Sequence, residues 1–172
     1  MHNIVLTGFM GTGKSTVGRI LAKELDLKPV DLDELIEKEA GMAVKDIFRV
    51  HGEARFREME AEVIKKLSSG AFGQGLIVST GGGAVLNPLN RDSLRKWGTL
   101  VCLTASVDEI IKRVGDRGER PLLATGDKRQ AVLRLLKERE DAYRDCDIEV
   151  DTTSIDARGV ADKIKSFIQK NK

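Results

Sequence analysis

Apolar positions along the chain fall into two alternating rhythms. Residues 3–7, 76–79 and 100–104 are short, almost uninterrupted apolar runs, the pattern of strands buried on both faces. Residues 29–31 and 148–151 read as a short second strand and a fifth strand. Between the strands lie segments of helical period. Residues 14–25 align Val17, Ile20, Leu21 and Leu25 on one face, and residues 33–39 and 44–51 read as short helices separated by Gly41. Residues 53–67 form a charged helix with Phe56, Met59, Val63 and Leu67 as its inner stripe, and residues 90–96 are a further helix. Ser106 and Glu109 form a capping box ahead of a helix that turns Ile110, Ile111 and Val114 inward and ends near Gly115. Residues 128–144 make a long helix and 156–169 the closing one.

Five strands joined by helical crossovers predict an α/β fold, a three-layer sandwich around a five-stranded parallel sheet. No repeat or linker divides the chain, so residues 1–172 read as one domain. In such sheets ligands lie outside the carboxyl ends of the strands. The segments that follow the strands are therefore the places to look for chemistry.

Composition narrows the classes. Lys and Arg number 29 against 27 Asp and Glu, a balance that argues against a protein that coats nucleic-acid phosphates. Five Phe, one Tyr and one Trp are too few for a set of base-stacking platforms. No apolar run is long enough to span a bilayer, and the start of the sequence lacks a signal-peptide layout. Cys102 and Cys146 suggest no disulfide framework, with Cys102 in an apolar strand and read as core. A cytoplasmic protein with no nucleic-acid or membrane partner is expected. The 17 glycines exceed the usual share, and their positions matter more than their number.

After the first strand comes Gly8-Phe9-Met10-Gly11-Thr12-Gly13-Lys14-Ser15-Thr16, which satisfies G-x-x-x-x-G-K-[ST] between a strand and a helix. Its glycines let successive backbone N–H groups turn toward a phosphate, and the following helix adds the positive end of its dipole. Lys14 supplies a point charge for the β- and γ-phosphates, and the Ser15 hydroxyl is a hard oxygen ligand for Mg²⁺. ATP and Mg²⁺ are the cofactors this loop implies.

Asp31 and Asp33 follow the second strand, and two residues apart on extended chain they face one side. Asp31 suits a water of the Mg²⁺ shell, and Asp33 suits a base toward a substrate hydroxyl. For Asp33, capping the helix that follows is the other reading. Gly81-Gly82-Gly83 after the third strand is costly in backbone entropy and implies a close approach to the backbone, or else a plain tight turn. Arginine binds carboxylate or phosphate through two parallel hydrogen bonds. Arg57 has Glu60 at i+3 to hold it. Spacing alone does not single out Arg139 from Arg129, Arg134 and Arg144. The two histidines have no metal-ligand spacing around them, and no Ser–His–Asp constellation emerges.

Taken together these residues resemble the shikimate kinases. The resemblance covers essentially the whole chain and rests on Gly8 to Thr16, Asp31-Leu32-Asp33, Phe56-Arg57-Glu58-Met59-Glu60, Gly81-Gly82-Gly83, Arg120-Pro121-Leu122-Leu123, and Arg139 four residues before Tyr143. It implies a P-loop kinase of the nucleoside-monophosphate-kinase-like fold, with a lid over residues 116–127 and a shikimate-binding helical segment over 33–62. The implied reaction is ATP-dependent phosphorylation of shikimate at its 3-hydroxyl, a step toward chorismate and the aromatic amino acids. Lys14, Asp33 and Arg120 would be catalytic. Gly11, Thr12, Gly13, Lys14, Ser15, Thr16, Arg113 and Arg120 would bind the nucleotide, with Arg113 stacking on adenine and residues 153–155 on its other side. Asp33, Arg57, Gly81, Gly82, Gly83 and Arg139 would bind shikimate, with the two arginines on its carboxylate and Phe48 and Phe56 walling the pocket. Glu60 would steady Arg57, and Ser15 and Asp31 would hold Mg²⁺. A monomer is expected, with shikimate as its small-molecule partner.

Two rivals stand beside this reading. A related kinase for gluconate or a nucleoside monophosphate would share the phosphate loop but is not expected to carry F-R-x-x-E, G-G-G and R-P-L-L together. A nucleotide-dependent binding module is the other. A GTPase switch would need an N-K-x-D run, which is absent, and an inactive relative is expected to lose Lys14, Asp33 or an anion-binding arginine.

Overall fold

In the computed structural model, which describes residues 3–115 and 127–171, the strands are β1 (Ile4–Gly8), β2 (Lys28–Asp31), β3 (Leu76–Ser79), β4 (Thr99–Thr104) and β5 (Ile148–Asp151). They pair in parallel in the order β2-β3-β1-β4-β5. The helices are α1 (Lys14–Leu25), α2 (Leu32–Ala40), α3 (Val44–Ser68), α4 (Pro88–Trp97), α5 (Val107–Gly115), α6 (Lys128–Arg144) and α7 (Ala157–Lys170). No helix among the described residues is long and apolar enough to cross a membrane. The expected lid, with Arg120, lies outside the described residues except for Asp127, which caps α6.

Strand alternation divides the core into two layers. Val5, Val78, Leu100 and Cys102 face one side, packed with Ile36, Ile64, Leu94 and Val132 from the α2–α6 layer. Ile4, Leu6, Ile77, Val101 and Leu103 face the other, packed with Val17 and Leu21 of α1 and Val160 and Ile164 of α7. The continuous apolar runs follow from this, because a strand covered on both sides has no solvent face to mark with polar residues. Adjacent strands β1 and β3 therefore hand the chain to opposite faces, β1 to α1 and β3 to α4. The divergence opens a crevice at their carboxyl ends, the place where ligands bind in open α/β sheets.

Several elements differ locally from their expected form. Residues 44–51 and 53–67 are helical as expected; they run on as α3 with a break at Gly52, whose φ of 79° and ψ of 172° leave the helical region. On its second half the fully buried stripe is Phe56, Glu60, Val63, Ile64 and Leu67, with Met59 partly buried against the same core, so the carboxylate of Glu60 goes inside as well. The capping box is half formed. Ser106 Oγ accepts from Glu109 N at 3.3 Å, but the Glu109 carboxylate turns to Arg113 and the Ser106 N–H goes to Thr153.

Candidate active site

The crevice is a cavity of about 570 Å³, the size of a small-ligand site, and it runs from the loop after β1 to the glycines after β3. Among its lining residues are Gly11, Thr12, Gly13, Lys14, Ser15, Thr16, Asp31, Asp33, Arg57, Gly81, Gly82, Gly83, Arg113 and Arg139. The expected catalytic, nucleotide, substrate and metal residues are thus brought to one hollow, apart from Arg120, which lies outside the described residues; of residues 153–155, expected beside adenine, Ile155 alone is among the lining residues.

At the phosphate-loop end, Gly13 precedes α1 with φ of 92°, a conformation that a Cβ disfavours. No side chain caps α1 there, so its first N–H groups and the positive end of its dipole open into the cavity. The Thr12 hydroxyl is buried and donates to Phe9 O at 2.8 Å, which ties the loop to itself. The Lys14 ammonium donates to Gly8 O at 2.7 Å and Phe9 O at 2.8 Å. These features form an anion receptor made of backbone donors with a lysine beside them.

Asp31 ends β2 and caps α2, its Oδ1 accepting from Asp33 N at 2.9 Å. The capping role thus belongs to Asp31. Asp33 sits in the first turn of α2, so the two carboxylates share the cavity through the start of a helix rather than strand alternation. Asp33 Oδ1 is buried with no hydrogen-bond partner among the described residues. Burial raises its pKa, the Asp31 and Glu37 charges push the same way, and Arg57 and Lys14 oppose them. A carboxyl with raised proton affinity and an unclaimed oxygen is suited to accept a proton from a bound hydroxyl. Ser15 and Asp31 lie together beside Lys14 and offer the hard oxygen donors that suit Mg²⁺, which completes its shell with water and phosphate.

At the far end the three glycines each make room for a side chain of the same chain. A Cβ on Gly81 would stand 3.3 Å from Asp33 Oδ1, one on Gly82 3.3 Å from Arg139 Nη1, and one on Gly83 2.5 Å from Arg57 Nη2. None of the three has a positive φ, so the run exists for close approach and not for an unusual backbone. Arg57 donates to Glu60 Oε2 at 2.8 Å and reaches Glu53 at 3.4 Å. Burial pulls the Arg57 pKa down, but Glu60 and Glu53 outweigh it and the net direction is up. Glu60 is almost fully enclosed, and burial raises its pKa against the pull of Arg57.

Arg139 is only 8% exposed, lies 5.7 Å over the Phe9 ring, and has no carboxylate partner among the described residues. A buried guanidinium without an acid, open to a cavity, is suited to receive an external anion. Sequence spacing could not choose Arg139, but the buried stripe of α6 does, running Val132, Leu135, Arg139 and Tyr143. An arginine in phase with apolar residues was the signal to look for. Phe48 and Phe56 both line the cavity, with ring centroids 4.7 Å apart.

At the opposite end Arg113 is held by Glu109 at 2.9 Å and donates to Gly11 O, Thr152 Oγ1 and Thr152 O at 3.2, 3.0 and 2.9 Å. Thr152, Ile155 and Asp156 line the cavity there, while Thr153 instead bonds Ser106 and Asp151. The sequence reading did not pick out Val44, Thr80 or Thr152, which carry no charge and belong to no motif.

With this geometry in view, comparison with known proteins identifies the family. A sequence profile described as SKI, shikimate kinase, matches residues 10–169. The chain belongs to the shikimate kinase family. A shikimate kinase of Geobacter sulfurreducens is 46% identical over 171 residues, covering 99% of this chain and 92% of that protein. One of Caldicellulosiruptor bescii is 45% identical over 167 residues, covering 97% and 95%. Among solved structures, the shikimate kinase from Acinetobacter baumannii in complex with shikimate superposes with a TM-score of 0.91 at 37% identity, covering 100% of this chain and 95% of that one. The α/β fold expected from the apolar pattern is the fold of this family.

Proposed function

We propose that the ATP-dependent phosphorylation of shikimate that belongs to this family is carried out here by the residues of the single crevice, at the 3-hydroxyl. The observation that carries this reading is the continuity of the cavity from the Lys14 loop to the buried, acid-free Arg139. A triphosphate at one end and a small carboxylic acid at the other then meet over Asp33.

In this reading Arg139 and Arg57 hold the substrate carboxylate, a planar anion that two planar cations suit. Glu60 keeps Arg57 aimed through its 2.8 Å bond. Asp33 orients the ring hydroxyl and takes its proton as the phosphoryl group arrives. The N–H groups of residues 11–16 and the Lys14 ammonium hold the phosphates, and Arg113 lies against the base. Ser15 would hold Mg²⁺ and Asp31 would reach it through water; the bound ion would neutralise charge on the phosphates. Arg120 and the segment around it act as a lid that excludes water as a competing acceptor. The chain works as one kinase domain, as a monomer, in the cytoplasm.

The test is ADP release from MgATP with shikimate, gluconate and nucleoside monophosphates offered in turn. Turnover with shikimate alone is expected. Turnover with gluconate or a nucleotide but not with shikimate overturns the assignment, and ATP binding without turnover of any acceptor favours the binding-module reading.

A further inference from the structure

Tyr143 is buried one turn beyond Arg139 on α6, yet the chemistry above gives it no task. Its hydroxyl donates to the carbonyl of Gly82 at 2.7 Å. The same hydroxyl and Arg139 Nη1 both crowd Gly82, each 3.3 Å from the point where a Cβ would stand. The oxygen thus shares the face of the middle glycine with the one buried guanidinium that lacks a carboxylate among the described residues. A phenol can donate one hydrogen bond and still offer lone pairs to a cation. The Arg139 charge acts on this oxygen accordingly, although burial dominates and keeps the phenol protonated. Packing alone would be served as well by Phe, whereas a buried hydroxyl needs its partners.

We propose that Tyr143 is a positioning residue for substrate recognition, its hydroxyl bracing Arg139 against the Gly82 carbonyl so that Arg139 meets the substrate carboxylate in register with Arg57. Gly81, Gly82 and Gly83 are consecutive, and Asp33 and Arg57 pack on the outer two. A brace on the middle residue therefore fixes the separation between the proton acceptor and both guanidinium groups. This inference rests on the reading of the crevice as a shikimate site with Arg139 on the carboxylate.

The experiment compares Tyr143→Phe with the unaltered enzyme, using shikimate and its methyl ester as acceptors. The unaltered enzyme is measured first; no turnover of shikimate there defeats the functional reading itself. Given that turnover, Tyr143→Phe is expected to raise KM for shikimate about tenfold, the scale of one hydrogen bond, with KM for ATP unchanged. The ester, which offers no full negative charge, should lose little, so the preference for acid over ester shrinks. In an Arg139→Ala background the same substitution should add no further loss. Unchanged KM for shikimate, an equal loss for acid and ester, or full additivity with Arg139→Ala overturns the proposal. Should Tyr143→Phe fold poorly, Gly82→Ala provides the second variant, since its methyl enters the same contact. It is then expected to reproduce the acid-selective loss, and an equal loss for acid and ester counts against the brace.

Discussion

Arg57 occupies the space where Gly83 would carry a side chain. The Nη2 atom lies 2.5 Å from the Cβ position and the guanidinium carbon 2.7 Å, both too close for a methyl group. The backbone at Gly83, with φ of −97°, is one that alanine adopts freely. Gly83→Ala is therefore expected to fold normally and to push Arg57 off its seat. KM for shikimate should rise tenfold or more while KM for ATP holds, on the scale of a displaced charge-assisted bond. Steady-state kinetics with each substrate varied in turn check this. A substitution with no effect on either KM would show that Arg57 tolerates the shift.

Asp33 combines burial with an unclaimed oxygen, and removing its charge should separate stability from activity. Asp33→Asn is expected to abolish phosphoryl transfer while ATP still binds. The same change should stabilise the fold near neutral pH by about 1 kcal/mol, roughly 2–4 °C in Tm, because a charge held at a cost is gone. The sign follows from the raised pKa. The folded state binds the proton more tightly than the unfolded chain, so the cost is fully present above the folded-state pKa. It fades as pH falls through that value and is absent below the ordinary 3.8. The Tm advantage of Asp33→Asn should shrink over that window in thermal melts. An advantage that grew on acidification would contradict the raised pKa, and near-normal turnover would remove Asp33 from the mechanism.

Arg120 follows from the family resemblance and carries its own test. Arg120→Ala should lower kcat at least a hundredfold, about 2.7 kcal/mol of transition-state stabilisation, with shikimate Kd nearly unchanged. Equal loss in kcat and in binding of shikimate, measured by titration, would remove the lid role.

The cysteines differ in reactivity for a physical reason. Burial pushes the Cys102 thiol up to about 12, leaving at pH 8 roughly one molecule in ten thousand as thiolate. Cys146 is less enclosed, and burial raises its pKa as well. Iodoacetamide at pH 8 is expected to label the native protein slowly and at Cys146 alone, with Cys102 joining on denaturation. Mass spectrometry of the two forms decides it, and equal native labelling of both would mean that β4 is open to reagent.

The middle of the sheet was legible because β1, β3 and β4, covered on both faces, are written as apolar runs, whereas the edge strands β2 and β5 are partly exposed and carry charges. The limits expected for the third and fifth strands and for the helices of residues 14–25 and 128–144 are those found. The phosphate loop was legible because its chemistry is local, with each residue acting where the backbone puts it. The substrate end was less so, since Arg57, Gly83, Gly82 and Arg139 come from three elements and touch only after folding. Met59 and Glu60 show the limit of pattern reading. Hydrophobicity placed the methionine against the core, where it packs partly buried, but gave no sign that an ion pair with Arg57 would turn the neighbouring carboxylate fully inward. The capping of α2 went to Asp31 for a similar reason, because the helix begins one residue earlier than the expected start at residue 33.

The kink at Gly52 means that α3 is two mechanical parts under one name. With φ of 79° and open space where a Cβ would stand, the residue is glycine for its backbone and not for its neighbours. Residues 44–51 carry Phe48, 38% exposed at the cavity wall, while residues 53–68 carry Phe56, Arg57 and Glu60 and anchor in the core. The wall that a substrate ring meets is thus built from both sides of the break, with Phe48 and Phe56 in contact across it at 4.7 Å between ring centroids. A residue with a Cβ at position 52 would strain that break and shift Phe48 against Phe56, whose ring lies 5.1 Å beneath the Arg57 guanidinium, so pocket shape and acid recognition would change together.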